Sequence, residues 1–143
     1  MKANLFLLSL AVILIGIYGY TSNNEVNYNE LTKEWKFAGY ANNANDSIIR
    51  TPSEDCADCY IIKLKEDYTF IGQTMNNSIS GSFSISDNNY LSFDVNWSTD
   101  ITETMEHYNY LKELPRTHSF TLSDSELKLY YNKDGDYLLF RSS

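Results

Sequence analysis

The chain has 143 residues, 43% of them hydrophobic and 15% aromatic, enough for one globular domain and too few for two. A formal charge of −8 without clustered cations excludes a nucleic-acid binder, which must displace counterions from phosphate, and argues equally against docking on an anionic membrane surface. That acidity suits a soluble domain kept monodisperse, as a monomer, by its charge.

The first twenty residues stand apart. Lys2 precedes an apolar run from Leu5 to Ile17, and the chain turns polar at Thr21-Ser22-Asn23-Asn24-Glu25, the layout of an export signal. Two fates stay open: cleavage near Gly19, or retention as an anchor. For the second, the run from Leu5 to Tyr20 is slightly short of the roughly 20 residues a spanning helix prefers. Tyr20 stands where a lipoprotein signal carries its lipidated cysteine, so lipid attachment there is excluded. Removing residues 1–19 takes away one positive charge, Lys2, and leaves −9. The expected location is the periplasm or cell envelope, with membrane contact only through residues 5–20 if they are retained.

Residues 21–33 are polar and aperiodic and read as a tether, and the folded domain is expected over 34–143. Glu34 to Tyr40 reads as a strand with Trp35 and Phe37 on one side. Residues 41–55, rich in Asn, Asp, Ser and Pro, read as a long loop. Tyr60 to Leu64 and Tyr68 to Ile71 flank the turn Lys65-Glu66-Asp67 and form a hairpin. Ile79, Phe83 and Ile85 then share one face with Gly81, while Ser80, Ser82 and Ser84 take the other. After Asp87-Asn88-Asn89 the apolar set is Leu91, Phe93, Val95 and Trp97.

One helix is expected over 102–114, with Met105, Tyr108, Leu111 and Leu114 every third residue and Pro115 ending it. His107 falls on that helix. Three strands close the chain: Phe120 and Leu122; Leu127, Leu129 and Tyr131; Leu138 and Phe140, joined by short turns at 123–125 and 133–135. About eight strands with one helix predict a mainly β domain, an antiparallel sheet curled into a barrel so that no edge is left exposed.

That order of elements resembles the META (HslJ-like) domain family from roughly Trp35 to Arg141. The resemblance rests on Trp35-Lys36-Phe37, on Tyr68-Thr69-Phe70 with Gly72, on Asn77 to Phe83, on Thr99 or Thr102 before a helix holding Tyr110-Leu111, and on the ending Leu127 to Tyr131 with Leu138-Leu139-Phe140. It implies a lipocalin-like β-barrel, an envelope setting and a part in envelope upkeep or interaction. It implies no active site, since the family has no agreed catalytic residues. Met75 and the cysteine-free helix region depart from relatives that carry cysteines there.

Cys56 and Cys59 are the only cysteines. A redox Cys-x-x-Cys pair needs a helix N-terminus to lower a thiol pKa. Here Cys59 runs into a strand, and Glu54, Asp55 and Asp58 push the wrong way. Zinc needs four ligands, and His107 and His118 lie far along the chain with packing roles, His118 on the apolar side of a strand with Phe120. The expected state is a disulfide staple between Cys56 and Cys59, with two free thiols as its rival.

Asn132-Lys133-Asp134-Gly135-Asp136 has oxygen ligands at alternate positions but lacks the length of a calcium loop, and reads as a hairpin turn. No Gly-x-Ser-x-Gly elbow or phosphate-binding glycine pattern occurs. Asp46-Ser47-Ile48 fits a short Asp-Ser/Thr-apolar signal for O-glycosylation. The twelve tyrosines belong mostly to strand packing. No metal, cofactor or catalytic residue is assigned. The leading expectation is a non-enzymatic envelope domain that binds a partner protein or a small apolar or glycan ligand, through Trp35, Phe83, Phe93, Trp97 and Tyr131 if the barrel is not completely filled. The alternative is an enzyme, a thiol–disulfide oxidoreductase using the cysteine pair or an unrecognised hydrolase. A tethered spacer with a purely structural role is a third reading.

Overall fold

Successive side chains of an extended chain point to opposite faces, so residues that are apolar at every second position bury one face and wet the other. In the computed structural model, which describes residues 28–50, 56, 58–86, 88–97 and 109–143, this rule produces nine strands. They are β1 (Glu34–Asn42), β2 (Ser47–Arg50), β3 (Ile61–Leu64), β4 (Thr69–Gln73), β5 (Ser78–Ser86), β6 (Tyr90–Trp97), β7 (Ser119–Leu122), β8 (Glu126–Tyr130) and β9 (Tyr137–Ser142). β5 shows the rule plainly, with Ile79 and Phe83 buried and Ser78, Ser82, Ser84 and Ser86 exposed.

All pairings are antiparallel, and β1 with β3 to β9 follow one another round the sheet in chain order. β1 then pairs with β9 from Trp35↔Ser142 to Ala41↔Tyr137 and closes the ring. The barrel-like antiparallel architecture expected from the sequence is therefore present, eight strands making the ring. β2 is a ninth. It pairs with the last residues of β1, Tyr40 to Asn42, beyond the three that pair with β3. β1 thus serves three partners, and its register with β9 carries a bulge between Phe37 and Gly39, where Gly39 has φ 148.

Three sequence expectations are corrected. The loop read over 41–55 contains the end of β1, a turn at 43–46 and β2, while residues 51–55 lie outside the described residues. Asparagine side chains build that turn, since Ala44 N donates to Asn42 Oδ1 at 2.8 Å and Ser47 N to Asn45 Oδ1 at 3.0 Å. The stretch read as tether ends in a helical turn, α1 (Tyr28–Leu31), whose Leu31 is fully buried. Of the helix expected over 102–114, α2 (Asn109–Glu113) is described; Pro115 sits inside a 3₁₀ turn over Leu114–Arg116 that continues it. Residues 102–108, with His107, lie outside the described residues, as do residues 1–20.

The ring's interior is filled. Trp35, Ile62, Leu64, Phe70, Leu91, Leu127, Leu129, Leu138 and Phe140 are each at most 1% exposed and belong to one cluster. Its two ends are stoppered by different elements. At one, Leu31 packs into the cluster and its carbonyl accepts the Trp35 indole N–H at 2.9 Å. At the other, Tyr110 of α2 stacks on Phe37 with centroids 5.2 Å apart and stands edge-on to Phe140. A second small cluster of Ala41, Tyr137 and Leu139 lies apart from the first, which is why four successive residues of β9, Tyr137 to Phe140, are all buried.

β5 and β6 approach so closely that a Cβ on Gly81 would lie 1.9 Å from the Asp94 carbonyl oxygen and 2.8 Å from Phe70 Cε1. The obstacle is backbone, which cannot rotate aside. Gly81→Ala is expected to destabilise the domain by about 3 kcal/mol, the upper part of the overpacking range, read as a shift in the urea midpoint.

Candidate functional site

Four of the five residues expected to line a ligand cavity can be placed, and they do not converge on one. Trp35 is fully buried, Phe83 and Phe93 are 5% and 6% exposed, and all three are core. Phe93 stands edge-on to Phe70 at 5.3 Å. Tyr131 is half-buried against the same cluster, and its phenol pKa is raised by burial and by the nearby carboxylates of Asp136 and Glu113. Trp97 ends β6 opposite Ile79, and its side chain lies outside the described part. Phe83 reaches a depression. It lines a cleft of about 190 Å³ at the Leu31 end of the ring with Tyr68, Ile85 and Lys65.

Cys56 and Cys59 are joined, with Cα atoms 5.3 Å apart, in the stretch leading into β3. Cys59 is buried and Cys56 partly so, both against the core. From β1, Lys36 Nζ donates to the Cys56 carbonyl at 2.8 Å and also to that of Cys59. The ammonium ties the bridged turn to the wall. Burial lowers the Lys36 pKa, opposed by Asp58 and Glu34. This turn therefore presents bridged sulfurs packed on apolar side chains and carbonyls capped by a cation.

A polar cluster that the sequence did not announce sits beside the small second core. Asp46, at the β1–β2 turn with φ 51, accepts from the Tyr137 hydroxyl at 2.7 Å and from Lys128 Nζ at 3.3 Å through the same oxygen, Oδ1. Lys128 also lies 4.7 Å over the Tyr137 ring. The Tyr137 hydroxyl and then Lys128 hold the Asp46 carboxyl below its ordinary range. Burial and the bond to Asp46 raise the Tyr137 phenol. On Lys128 burial works downward, but the bonds to Tyr137 and Asp46 outweigh it and leave the pKa raised. These shifts keep protons on Tyr137 and Lys128, the reverse of what an activated base or nucleophile needs. The cluster is a latch between the hairpin and β8–β9. The partners are 82 and 91 residues away from Asp46, so no local motif could have revealed it.

His118 was expected to pack beside Phe120 on a strand. It lies just before β7 and is exposed, its Nε2 3.2 Å from the Asn132 carbonyl and its Nδ1 3.1 Å from Ser119 Oγ. Neither His118 nor Ser119 lines a depression found among the described residues. The 132–136 segment is a turn closed on itself: Asn132 Nδ2 donates to Asp136 Oδ2 at 2.9 Å, and Asp136 N to Asn132 Oδ1 at 2.8 Å. Among the described residues no three His, Cys, Asp or Glu side chains gather closely enough to hold a metal ion. A second, shallow depression of about 340 Å³ lies on the outer wall of β1, β3, β4 and β5, lined by Glu34, Ile61, Lys63, Ile71, Gln73 and Ser80.

No family model matches this chain, and no curated protein matches it. Its fold is similar to that of a DUF4847 family protein from Bacteroides vulgatus, with a TM-score of 0.61 and 15% identity over 78% of this chain and 93% of that one. It is also similar to a protein from Burkholderia xenovorans, with a TM-score of 0.57 and 22% identity over 78% of this chain and 83% of that one. At these identities the likeness establishes the fold alone.

Two outcomes follow from these contacts. Replacing Cys56 and Cys59 together by Ser should lower stability by about 2 kcal/mol, the loop-entropy value for so short a loop, and leave the fold intact. Alkylation of the unfolded, unreduced protein should label neither cysteine. The latch should fail in acid. Because the folded-state pKa of Asp46 lies below its ordinary 3.8, its contribution is complete above that value and is lost as pH falls through the folded one. The protection factors of the Ala41 and Ile48 amides, measured against intrinsic exchange at each pH, should fall over that range in the wild type, while Asp46→Asn should show the reduced protection at every pH.

Proposed function

We propose that this chain is an exported, non-enzymatic envelope domain of META (HslJ-like) type that engages a partner protein through the outside of its barrel. The observation that carries the reading is the filled interior. Binding a small apolar or glycan molecule inside a barrel requires a hollow, and here Trp35, Phe70, Leu129 and Phe140 occupy that volume at 0% exposure. The two depressions lie at one end of the ring and on its outer wall, where Tyr68 and Ile71 are 55% and 46% exposed. A mixed apolar and polar surface of this kind suits a protein partner.

Further support comes from the bridged cysteine pair, which is expected of chains that mature in an oxidising compartment. The helical turn between β6 and β7 and the strand pair at the C-terminus follow the order of elements on which the META resemblance rests.

The test uses the full chain, produced with its own N-terminal segment. It should fractionate with the envelope, carry no small ligand in native mass spectrometry, and form a specific protein crosslink from a photoreactive residue at position 71. The same crosslinker at position 134, an exposed site on the turn between β8 and β9, should give none. A cytoplasmic chain of full length would overturn the export reading. Turnover in insulin-reduction or esterase assays that disappears on mutating Cys56 or His118 would overturn the non-enzymatic one.

A further inference from the structure

The β1–β2 hairpin carries a feature that the proposed function leaves unexplained. β2 pairs with β1 on one side, and no strand pairs with its other side among the described residues. The register jumps from Tyr40↔Arg50 to Ala41↔Ile48, so Ile49 stands on a bulge without an opposite residue. Ile48 and Ile49 are 41% and 64% exposed, and Ile49 is the most exposed of the large hydrophobic side chains described. An edge with protruding isoleucines, charged only at its last residue, Arg50, is a template for pairing with another chain, a hazard that proteins ordinarily blunt with lysine, proline or a cover. Ser47, Ile48 and Ile49 supply neither lysine nor proline.

Directly before those isoleucines stands Ser47, in the triplet Asp46-Ser47-Ile48. Residues 43–49 are all exposed. The backbone leading into Ser47 is held by the Ser47 N–H bond to Asn45 Oδ1 at 3.0 Å and by the Asp46 latch to Tyr137 and Lys128. The Ser47 hydroxyl itself has no partner among the described residues. An exposed hydroxyl on a fixed turn, in an Asp-Ser-apolar setting, beside an apolar edge in need of cover, points to one modification.

We propose that Ser47 carries an O-linked glycan that covers the free edge of β2. The step is a glycosyl transfer from a phosphate-activated sugar donor. A bond forms between Ser47 Oγ and the anomeric carbon, the bond from that carbon to the donor's phosphate breaks, and the hydroxyl proton passes to a base of the transferase. The bulky, hydrated product sits one residue from Ile48. The overlapping triplet Asn45-Asp46-Ser47 also has the Asn-x-Ser form of an N-linked acceptor, but the Asn45 side chain is already engaged in capping the turn. This inference rests on the export reading, since the transfer takes place in an exporting cell's envelope.

The experiment uses the full chain recovered from the envelope of its own cells. Trypsin, cutting after Lys36 and Arg50, releases residues 37–50, in which Ser47 is the only serine or threonine. The peptide should be heavier by whole sugar residues, placed on Ser47 by electron-transfer fragmentation. The added mass should vanish in S47A and D46N and persist in S47T. An enveloped chain whose peptide has its unmodified mass would overturn the glycan alone. Sugar on Asn45, retained in D46N, would overturn the assignment to Ser47. A chain confined to the cytoplasm would overturn the export reading and the glycan with it.

Discussion

The structure depends on the pairing of β1 with β9. A meander of eight strands could remain an open, curved sheet with two raw edges. The register from Trp35↔Ser142 to Ala41↔Tyr137 joins those edges and turns the concave face into an enclosed volume. Once that volume exists it must hold either water or side chains. Aromatic residues from six of the eight ring strands occupy it, and their stacked, tilted and edge-on contacts, Phe37 with Tyr110 and Phe140, Phe70 with Phe93, fix how far the walls can approach. The same crowding explains why glycine is required where β5 crosses Phe70.

Filling the ring moves the chemistry of the molecule outward. The polar groups with definite partners lie around the wall and rims: the cation of Lys36 on the bridged turn, the shared Asp46 oxygen, the self-closed turn from Asn132 to Asp136. Each fastens a loop to a strand. Burial lowers the Lys36 amine, opposed by Asp58 and Glu34, while the shifts at Asp46, Tyr137 and Lys128 all favour the ordinary protonation states.

Much of the fold was legible because burial on one face leaves a period of two, which β5, β6 and β8 display without interruption. The closing hairpins were equally plain from their short turns. The sequence was opaque where the physical signal is non-local or too short. Ile48-Ile49 inside an Asn-rich stretch cannot show a period, so β2 read as loop. Leu31 is a single apolar residue in a polar segment, and only its place under Trp35 makes it core. Tyr110 lies off the three-residue stripe assigned to the helix yet is 1% exposed, because it plugs the end of the ring. The latch on Asp46 joins residues from opposite ends of the domain, and no spacing encodes it. Trp35, Phe83 and Phe93 share the inner wall because their period of two puts them there; what spacing alone could not reveal was that other core side chains pack against them.

The seam between β6 and β7 has a different consequence. Among the described residues these strands share one register pair, Tyr90↔Ser119, supported by backbone bonds at Leu91 and Phe120, whereas β5 and β6 share eight. Along the described wall this is the joint with the fewest paired residues. During synthesis β3 to β9 can pair as their neighbours emerge, but β1, whose Trp35 already faces Ile62 of β3, gains its second neighbour only when β9 is present. Until then the inner wall stays open to chaperones and to other chains. For this architecture β9 completes the fold: losing it would leave an open half-pipe with its aromatic lining in water.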